Sequence, residues 1–257
     1  MFPILLHIGP LTIRTYGAMV ALAFLAALQA ARAVARSHRI GEAFFLDLVA
    51  ILIVSGLLGA RILYILVNLS YFRENPWESF KVWEGGLVFY GGFLLAALVG
   101  IIFTRYRGYV VGEIADLLAP ALALGQGIGR WGCFFAGCCY GKPTSLPWGV
   151  RFKDPASLAP LGVPLHPVQI YESIGDLLIA GLLWLMLQRR RGTAGEVFWL
   201  YVLLYGILRF AVETLRGDDR GPIHGGLAPS QLIALTAILI AGSILLVLKT
   251  SKHDAHA

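Results

Sequence analysis

Seven apolar segments, each long enough to cross the hydrocarbon core of a bilayer, constrain this chain more than any other feature. The segments cover residues 16–35, 44–69, 86–104, 113–136, 170–187, 196–214 and 227–248. Backbone in lipid must satisfy its own hydrogen bonds, and the sequence lacks the alternating pattern of a membrane barrel, so the segments are predicted to be helices. The sequence therefore predicts an all-α integral membrane protein, with one seven-helix transmembrane domain over residues 1–257.

The composition agrees with a membrane protein and excludes other classes. Charged residues make up 14% of the chain, against about a quarter in soluble domains. Hydrophobic residues make up 58%, too many for a disordered chain. No basic residue occurs among the first ten, and no small-residue cleavage pattern follows the first segment, so we expect an uncleaved helix rather than a signal peptide.

Basic residues in the loops predict the orientation. One set of loops holds them in short, dense clusters: Arg32, Arg36, Arg39, Arg105, Arg107, Arg189, Arg190, Arg191, Lys249 and Lys252. The other set holds fewer basic residues: Arg14, Arg73, Lys81, Lys142, Arg151, Lys153, Arg216 and Arg220. These loops also contain the acidic residues Glu74, Glu78, Glu84, Asp154, Asp218 and Asp219. The positive-inside rule places the dense set in the cytoplasm, the N-terminus outside and the C-terminus inside.

This orientation makes residues 137–168, between helices four and five, a long outer, periplasmic-side loop. Trp148, Val150 and Phe152 alternate there, which favours a small strand or a lid. The net charge of +6 reflects topology and contact with anionic lipid, because no loop combines a basic patch with aromatic residues as nucleic-acid binders do.

Three arginines lie inside predicted helices: Arg61, Arg130 and Arg209. An arginine at a helix centre costs roughly 3 kcal/mol to insert, so each is a candidate for function. Arg61 and Tyr64 are one turn apart, and bracing a neighbouring helix explains Arg61 equally well. Function is favoured for Arg130 and Arg209, because other polar residues fall at the same depth.

Most polar residues of the helices gather near their outer ends: Tyr16, Arg61, Tyr64, Tyr90, Arg130, Gln169, Tyr171, Glu172, Tyr205, Arg209 and Glu213. Tyr205, Arg209 and Glu213 share one helix face. A guanidinium at headgroup depth can donate two parallel hydrogen bonds to a phosphodiester. The pattern predicts a phospholipid-headgroup site, although a single tyrosine there is also typical of an interfacial belt.

Two patterns are not taken as cofactor or metal sites. Gly127 to Gly132 fits G-x-G-x-x-G, but it ends a membrane helix and follows no strand, which excludes a dinucleotide site. Cys133, Cys138 and Cys139 do not have the spacing of a zinc site, and no histidine is near them in the sequence. We therefore expect no cofactor and no metal; one disulfide plus a thiol, or simple packing in a turn, remains open.

The chain resembles the prolipoprotein diacylglyceryl transferase family over nearly its whole length. The matching segments are Ile13–Gly17, Gly59–Tyr64, Gly91–Gly92, Gly129–Gly132 with Phe134 and Gly141, His166–Glu172, and Tyr205–Arg209 with Glu213. The resemblance implies a multi-pass enzyme of the bacterial inner membrane. It would transfer diacylglyceryl from phosphatidylglycerol to the lipobox cysteine of a prolipoprotein signal peptide, the first step of lipoprotein maturation.

By position, the resemblance makes Arg130 the phosphatidylglycerol-binding arginine and Arg209 a second essential arginine, and puts Tyr16, Tyr205 and Gly141 at important positions. We expect catalytic roles for Arg130, Arg209, Tyr90, Tyr16 and Tyr205. We expect substrate contacts from Arg130, Arg61, Gly141, Glu213 and His166.

The chain departs from the family at two places. Tyr90 stands where the family commonly has the histidine proposed as the base, and tyrosine, with a pKa near 10, is a weak base at neutral pH. Cys133 and Cys138 interrupt a signature that usually carries amides and a carboxylate. These departures leave two alternatives: a divergent paralogue that acts on another acceptor, or a phospholipid-binding protein without catalysis. The base, the acceptor range, the oxidation state of the cysteines and the oligomeric state stay open.

Overall fold

The computed structural model describes residues 2–8, 11–81, 85–189, 192–219 and 226–254, with backbone only for residues 7, 8, 11 and 251–254. Glu84, Arg190, Arg191 and Arg220 lie outside the described residues. The chain divides into two compact units. The first consists of residues 1–31 and 115–257, and the second of residues 32–114.

Eight α-helices occur in the described residues: α1 (Thr15–Ser37), α2 (Glu42–Val67), α3 (Leu69–Glu74), α4 (Phe89–Tyr106), α5 (Val111–Ala136), α6 (Val168–Gln188), α7 (Glu196–Glu213) and α8 (Pro229–Asp254). A short 3₁₀ helix covers Pro76–Phe80. All helices but α3 coincide with the predicted apolar segments. Only the end of α8 lies more than three residues from its predicted boundary.

Six of these helices are long and apolar enough to cross a membrane: α1, α2, α4, α5, α6 and α8. The remaining long helix, α7, has 18 residues and includes Glu196, Arg209 and Glu213. The integral membrane architecture is therefore supported by six helices, and Arg209 and Glu213 of α7 belong to the site described below.

Two small sheets modify the all-α prediction. Strands β1 (Ile4–Ile8) and β2 (Leu11–Arg14) form an antiparallel pair directly before α1, and the Thr15 amide donates to the Pro3 carbonyl. Gly9 and Pro10 between two apolar runs are the turn signal that predicts such a hairpin. The prediction missed it because both runs are much shorter than a membrane span.

The outer loop contains the second sheet, in which β3 (Val150–Arg151) pairs with β4 (Pro164–Leu165). Phe152, Ala159 and Leu165 form a small buried core beneath it. The predicted small strand around Val150 is confirmed, and this core gives the loop a defined structure.

Close glycine contacts hold the helices of the second unit together. A Cβ on Gly92 of α4 would lie 2.7 Å from the Gly56 carbonyl oxygen of α2, and Gly59 and Gly91 approach even more closely. Small residues allow membrane helices to pack through their backbones, where lipid provides no hydrophobic driving force. In the first unit, Gly206 of α7 similarly faces Ile238 of α8.

Candidate active site

One buried carboxylate, Glu172 of α6, attracts three arginines in the first unit. Arg130 of α5 donates to Glu172 Oε1, and Arg209 Nε of α7 lies 4.0 Å from the same oxygen. Arg216, just beyond α7, has its Nη1 4.0 Å from Glu172 Oε2. The Glu172 side chain is only 1% exposed, and a buried charge of this kind is tolerated when it is paired. Three separate segments of the chain therefore converge on one residue.

A second carboxylate, Glu213, links two of these arginines. Its Oε2 lies 2.5 Å from Arg209 Nη2 and 3.8 Å from Arg216 Nε. Asp218 then takes two hydrogen bonds from Arg216, at 2.9 and 3.0 Å. We refer to Arg130, Arg209, Arg216, Glu172 and Glu213 as the arginine cluster.

The arginine cluster retains the capacity to bind an anion. Arg130 and Arg209 are 20% and 12% exposed in their side chains, whereas Arg216 is only 2% exposed. Arg209 Nη1 and Arg216 Nη1 are buried, with no hydrogen-bond partner among the described residues. Buried donors without partners are costly, and an anion can satisfy them. Arg130 and Arg209 are therefore suited to contact a ligand, and Arg216 to hold the cluster in place.

Asp176 follows Glu172 by one turn of α6 and is fully buried. Both of its carboxylate oxygens lack a hydrogen-bond partner among the described residues, and it interacts electrostatically with Glu172, Arg130 and Arg209. Tyr205 of α7 interacts with Glu172 and Arg130. The structure thus brings Tyr205 to the arginine cluster, as its shared helix face with Arg209 predicts.

Gly141 anchors the backbone that carries Arg216. The two residues form an isolated antiparallel bridge, and the Gly141 amide donates to the His166 carbonyl at 3.2 Å. A Cβ on Gly141 would lie 2.5 Å from that carbonyl oxygen and 2.7 Å from Val168 Cγ2. A side chain there would force the backbone to move, so Gly141 allows close backbone packing, and its predicted substrate contact stays a prediction.

The His166 carbonyl accepts the Gly141 hydrogen bond, whereas the His166 side chain faces Tyr171. Its Nδ1 lies 3.4 Å from the Tyr171 hydroxyl, which accepts a 2.7 Å hydrogen bond from Trp148 Nε1. The predicted substrate contact of His166 stays a prediction.

Tyr16, at the start of α1, lies in the electrostatic field of Arg130 and of Cys133, Cys138 and Cys139. The three sulfur atoms all lie within 4.8 Å of one another. Hydrogen bonds from Cys133 and Cys138 lower the pKa of the Cys139 thiol, and the charges of Arg216 and Arg130 act in the same direction. A polar group of cysteines and a tyrosine therefore adjoins Arg130.

Arg61 and Tyr90 belong to the second unit. Arg61 is buried and donates to the carbonyl oxygens of Glu78, Ser79, Gly85 and Gly86. These contacts favour the bracing alternative for Arg61. Tyr90 is 52% exposed and meets Phe89 edge-on. The predicted substrate contact of Arg61 and the catalytic role of Tyr90 stay predictions.

Sequence reasoning did not identify three residues of this site. Arg216 was counted as a loop charge, although its spacing of three residues from Glu213 is a helical pairing signal. The sequence singles out Glu172 by its depth and by the matching segment His166–Glu172, but not as the shared partner of the arginines. Asp176 lies inside a predicted membrane segment, where an ionisable residue is a functional candidate by default.

Asp116 and Asp47, near the starts of α5 and α2, have structural partners. Asp116 accepts hydrogen bonds from the Gly195 and Phe198 amides, at 2.8 and 2.7 Å, and so caps the start of α7. Asp47 of the second unit pairs with Arg107. Both contacts give these carboxylates a structural role.

Comparison with known proteins identifies the family of the chain. The sequence model of the prolipoprotein diacylglyceryl transferase family matches residues 3–248. Proteins named phosphatidylglycerol–prolipoprotein diacylglyceryl transferase from Clostridium tetani and Geobacter sulfurreducens are 42% and 36% identical to the chain. The alignments cover 93% of this chain in both cases, and 95% and 92% of the relatives. A relative of the same name from Thermotoga maritima is 34% identical, over 98% of this chain and 86% of its own. The chain belongs to the prolipoprotein diacylglyceryl transferase family.

Proposed function

We propose that this protein transfers the diacylglyceryl group of phosphatidylglycerol to the lipobox cysteine thiol of prolipoproteins, the first step of lipoprotein maturation. A carbon–sulfur bond forms, the carbon–oxygen bond to the phosphate breaks, and glycerol phosphate leaves. The observation that carries the proposal is the arginine cluster, in a chain whose relatives bear the name of this activity.

Arg130 and Arg209 bind the phosphodiester in this proposal. Their charge stabilises the phosphate as it becomes the leaving group, and a preorganised donor of this kind needs little rearrangement during the reaction. Glu172, Glu213 and Arg216 keep the two guanidinium groups in position. Tyr16 and Tyr205 interact electrostatically with Arg130 and are candidates to contact the reacting groups.

We further propose that α7 is a seventh transmembrane helix, with the N-terminus outside, the C-terminus in the cytoplasm and the site in the outer leaflet of the inner membrane. Arg209 and Glu213 of α7 are paired within the arginine cluster, which lowers the cost of burying them in a membrane. Reporter fusions after α6 and α7 test this: a phosphatase active only in the periplasm should function after α7 and not after α6.

Reconstituted enzyme provides the direct test of function. A lipobox peptide is added to the full chain in phosphatidylglycerol vesicles. Mass spectrometry measures the thioether product, and a second assay measures the released glycerol phosphate. We expect both products in equal amounts. In a host depleted of its own transferase, expression should restore prolipoprotein modification. Unmodified prolipoprotein, despite folded protein in the membrane, would refute the function.

The replaced signature around Cys133 and Cys138 favours one second candidate, transfer to a different acceptor. The two assays separate the candidates. Release of glycerol phosphate without alkylation of the lipobox peptide indicates another acceptor, whereas release of neither product from phosphatidylglycerol indicates binding without catalysis.

A further inference from the structure

Three thiols meet at the end of α5, although Cys133 lies five residues before the adjacent pair Cys138 and Cys139. The sulfur atoms of Cys133, Cys138 and Cys139 all lie within 4.8 Å of one another. Three thiolates around Zn²⁺ at a bond length of about 2.3 Å have sulfurs roughly 3.8 Å apart when tetrahedral. The sulfur separations, at most 4.8 Å, are therefore close to the spacing that one ion requires.

The backbone builds this arrangement. Helix α5 ends at Ala136, and Gly137 follows with a φ of +75°, which turns the chain back on the helix. Cys139 has a φ of +60°, a conformation that L residues with a side chain rarely adopt. The carbonyl of Cys138 accepts a 2.8 Å hydrogen bond from the buried Gln169 of α6. The positive φ angles of Gly137 and Cys139 and the hydrogen bond from Gln169 therefore define the turn together.

The surroundings suit an anionic metal site. Zn²⁺ with three thiolates has a net charge of −1, and the cationic side chains of Arg216 and Arg130 lie within electrostatic range of Cys139. Tyr16 interacts electrostatically with all three sulfurs and with Arg130. The three thiols therefore adjoin the residues proposed to bind phosphatidylglycerol.

We propose that Cys133, Cys138 and Cys139 form a three-thiolate site for Zn²⁺, whose open fourth position takes the acceptor cysteine. Thiolates select soft or borderline ions such as zinc, and catalytic zinc sites have three protein ligands with the fourth position open. The role in transfer rests on the proposed function; the binding of zinc does not. The proposal departs from the expectation of no metal.

The site supplies a nucleophile. A cysteine thiol, with an ordinary pKa near 8.5, is mostly protonated at neutral pH, whereas a metal-bound thiol is deprotonated. The acceptor thiol loses its proton to water as it binds zinc. Its sulfur electron pair then forms the carbon–sulfur bond, and the electrons of the breaking carbon–oxygen bond leave with the phosphate. No oxidant or reductant is consumed.

Zinc content is the first test. Full-length protein, purified reduced and without chelator, is loaded with Zn²⁺, desalted and analysed for bound metal; Co²⁺ is titrated separately to detect sulfur-to-cobalt charge-transfer absorption. We expect one ion per chain, and a loss of affinity of at least about tenfold in each of Cys133→Ser, Cys138→Ser and Cys139→Ser. The control is the double variant Cys133→Ser with Ser243→Cys in α8. It has three thiols again, but not in the same place, so it should not regain zinc binding.

Chelation of the unsubstituted enzyme is the second test, and it does not depend on how the variants fold. We expect thioether formation to fall on removal of zinc and to return when Zn²⁺ is added. Any one of four results would overturn the proposal: less than one zinc ion per chain, zinc binding after all three cysteines are replaced, a disulfide among the cysteines in the active enzyme, or full activity without metal. If no preparation makes product, the proposed function fails, and zinc content still decides whether the site exists.

Discussion

Arg216 and Gly141 are joined as an isolated antiparallel bridge, so the backbone of the outer loop holds the residue that links Glu172 to Glu213. The neighbouring hydrogen bonds run from the Lys142 amide to the Leu215 carbonyl, and from the Gly217 amide to the Tyr140 carbonyl. The loop between α5 and α6 therefore supports the arginine cluster through its backbone.

Replacing Gly141 should disturb the site through this frame. In Gly141→Ala, the new Cβ would lie 2.5 Å from the His166 carbonyl oxygen, so the backbone must move and Arg216 with it. We expect kcat to fall by about 100-fold, since small displacements at a reacting centre cost this much. Gly181→Ala is the matched control, because Gly181 of α6 has open space around it. Equal activity of the two variants would contradict the assignment.

Removing the charge of Glu172 should lower stability strongly. Glu172→Gln leaves Arg130, Arg209 and Arg216 without their shared carboxylate, and breaking a buried ion pair costs about 3–5 kcal/mol. Glu42→Gln, which breaks the exposed pairs with Arg32 and Arg36, should leave the stability almost unchanged, because solvent screens exposed ion pairs. Thermal unfolding in detergent measures both. Similar midpoints for the two variants would mean that Glu172 does not hold the cluster together.

Arg130→Lys keeps the positive charge and loses the planar fork. Because lysine cannot donate two parallel hydrogen bonds to a phosphodiester, we expect kcat/KM for phosphatidylglycerol to fall by about 100-fold. Arg107→Lys, which alters the exposed pair with Asp47, serves as the control. Full activity of Arg130→Lys would assign Arg130 a purely electrostatic or structural role.

Arg61→Gln should mainly destabilise the second unit. The guanidinium satisfies carbonyl oxygens in the segment between α3 and α4 and lies 5.5 Å from the centres of the Tyr64 and Phe72 rings. We expect the free energy of unfolding to fall by about 3 kcal/mol, since hydrogen bonds to charged groups contribute about 1.5–3 kcal/mol each. Thermal unfolding and KM are measured together. A raised KM for phosphatidylglycerol with unchanged stability would identify Arg61 as a substrate contact instead.

Much of the fold could be predicted because membrane helices are encoded locally. Apolar length alone located the seven long helices, and the i, i+4, i+8 spacing of Tyr205, Arg209 and Glu213 placed them on one face. The hairpin β1–β2 was missed, because its two strands are short and their pairing depends on a turn rather than on length.

The sequence by itself determined that the chain enters a membrane, where its helices lie, and that Arg130 and Arg209 are unusual enough to need a function. Only the tertiary structure decided that Glu172 is their common partner, that Arg216 joins them, and that Asp176 lies buried beside them. The same holds for the three cysteines, whose spacing fits no familiar metal template, and which meet because Gly137 and Cys139 turn the chain with positive φ. The physical reason is that spacing along a helix reports only neighbours within that helix. Contacts between helices depend on how the connecting loops fold.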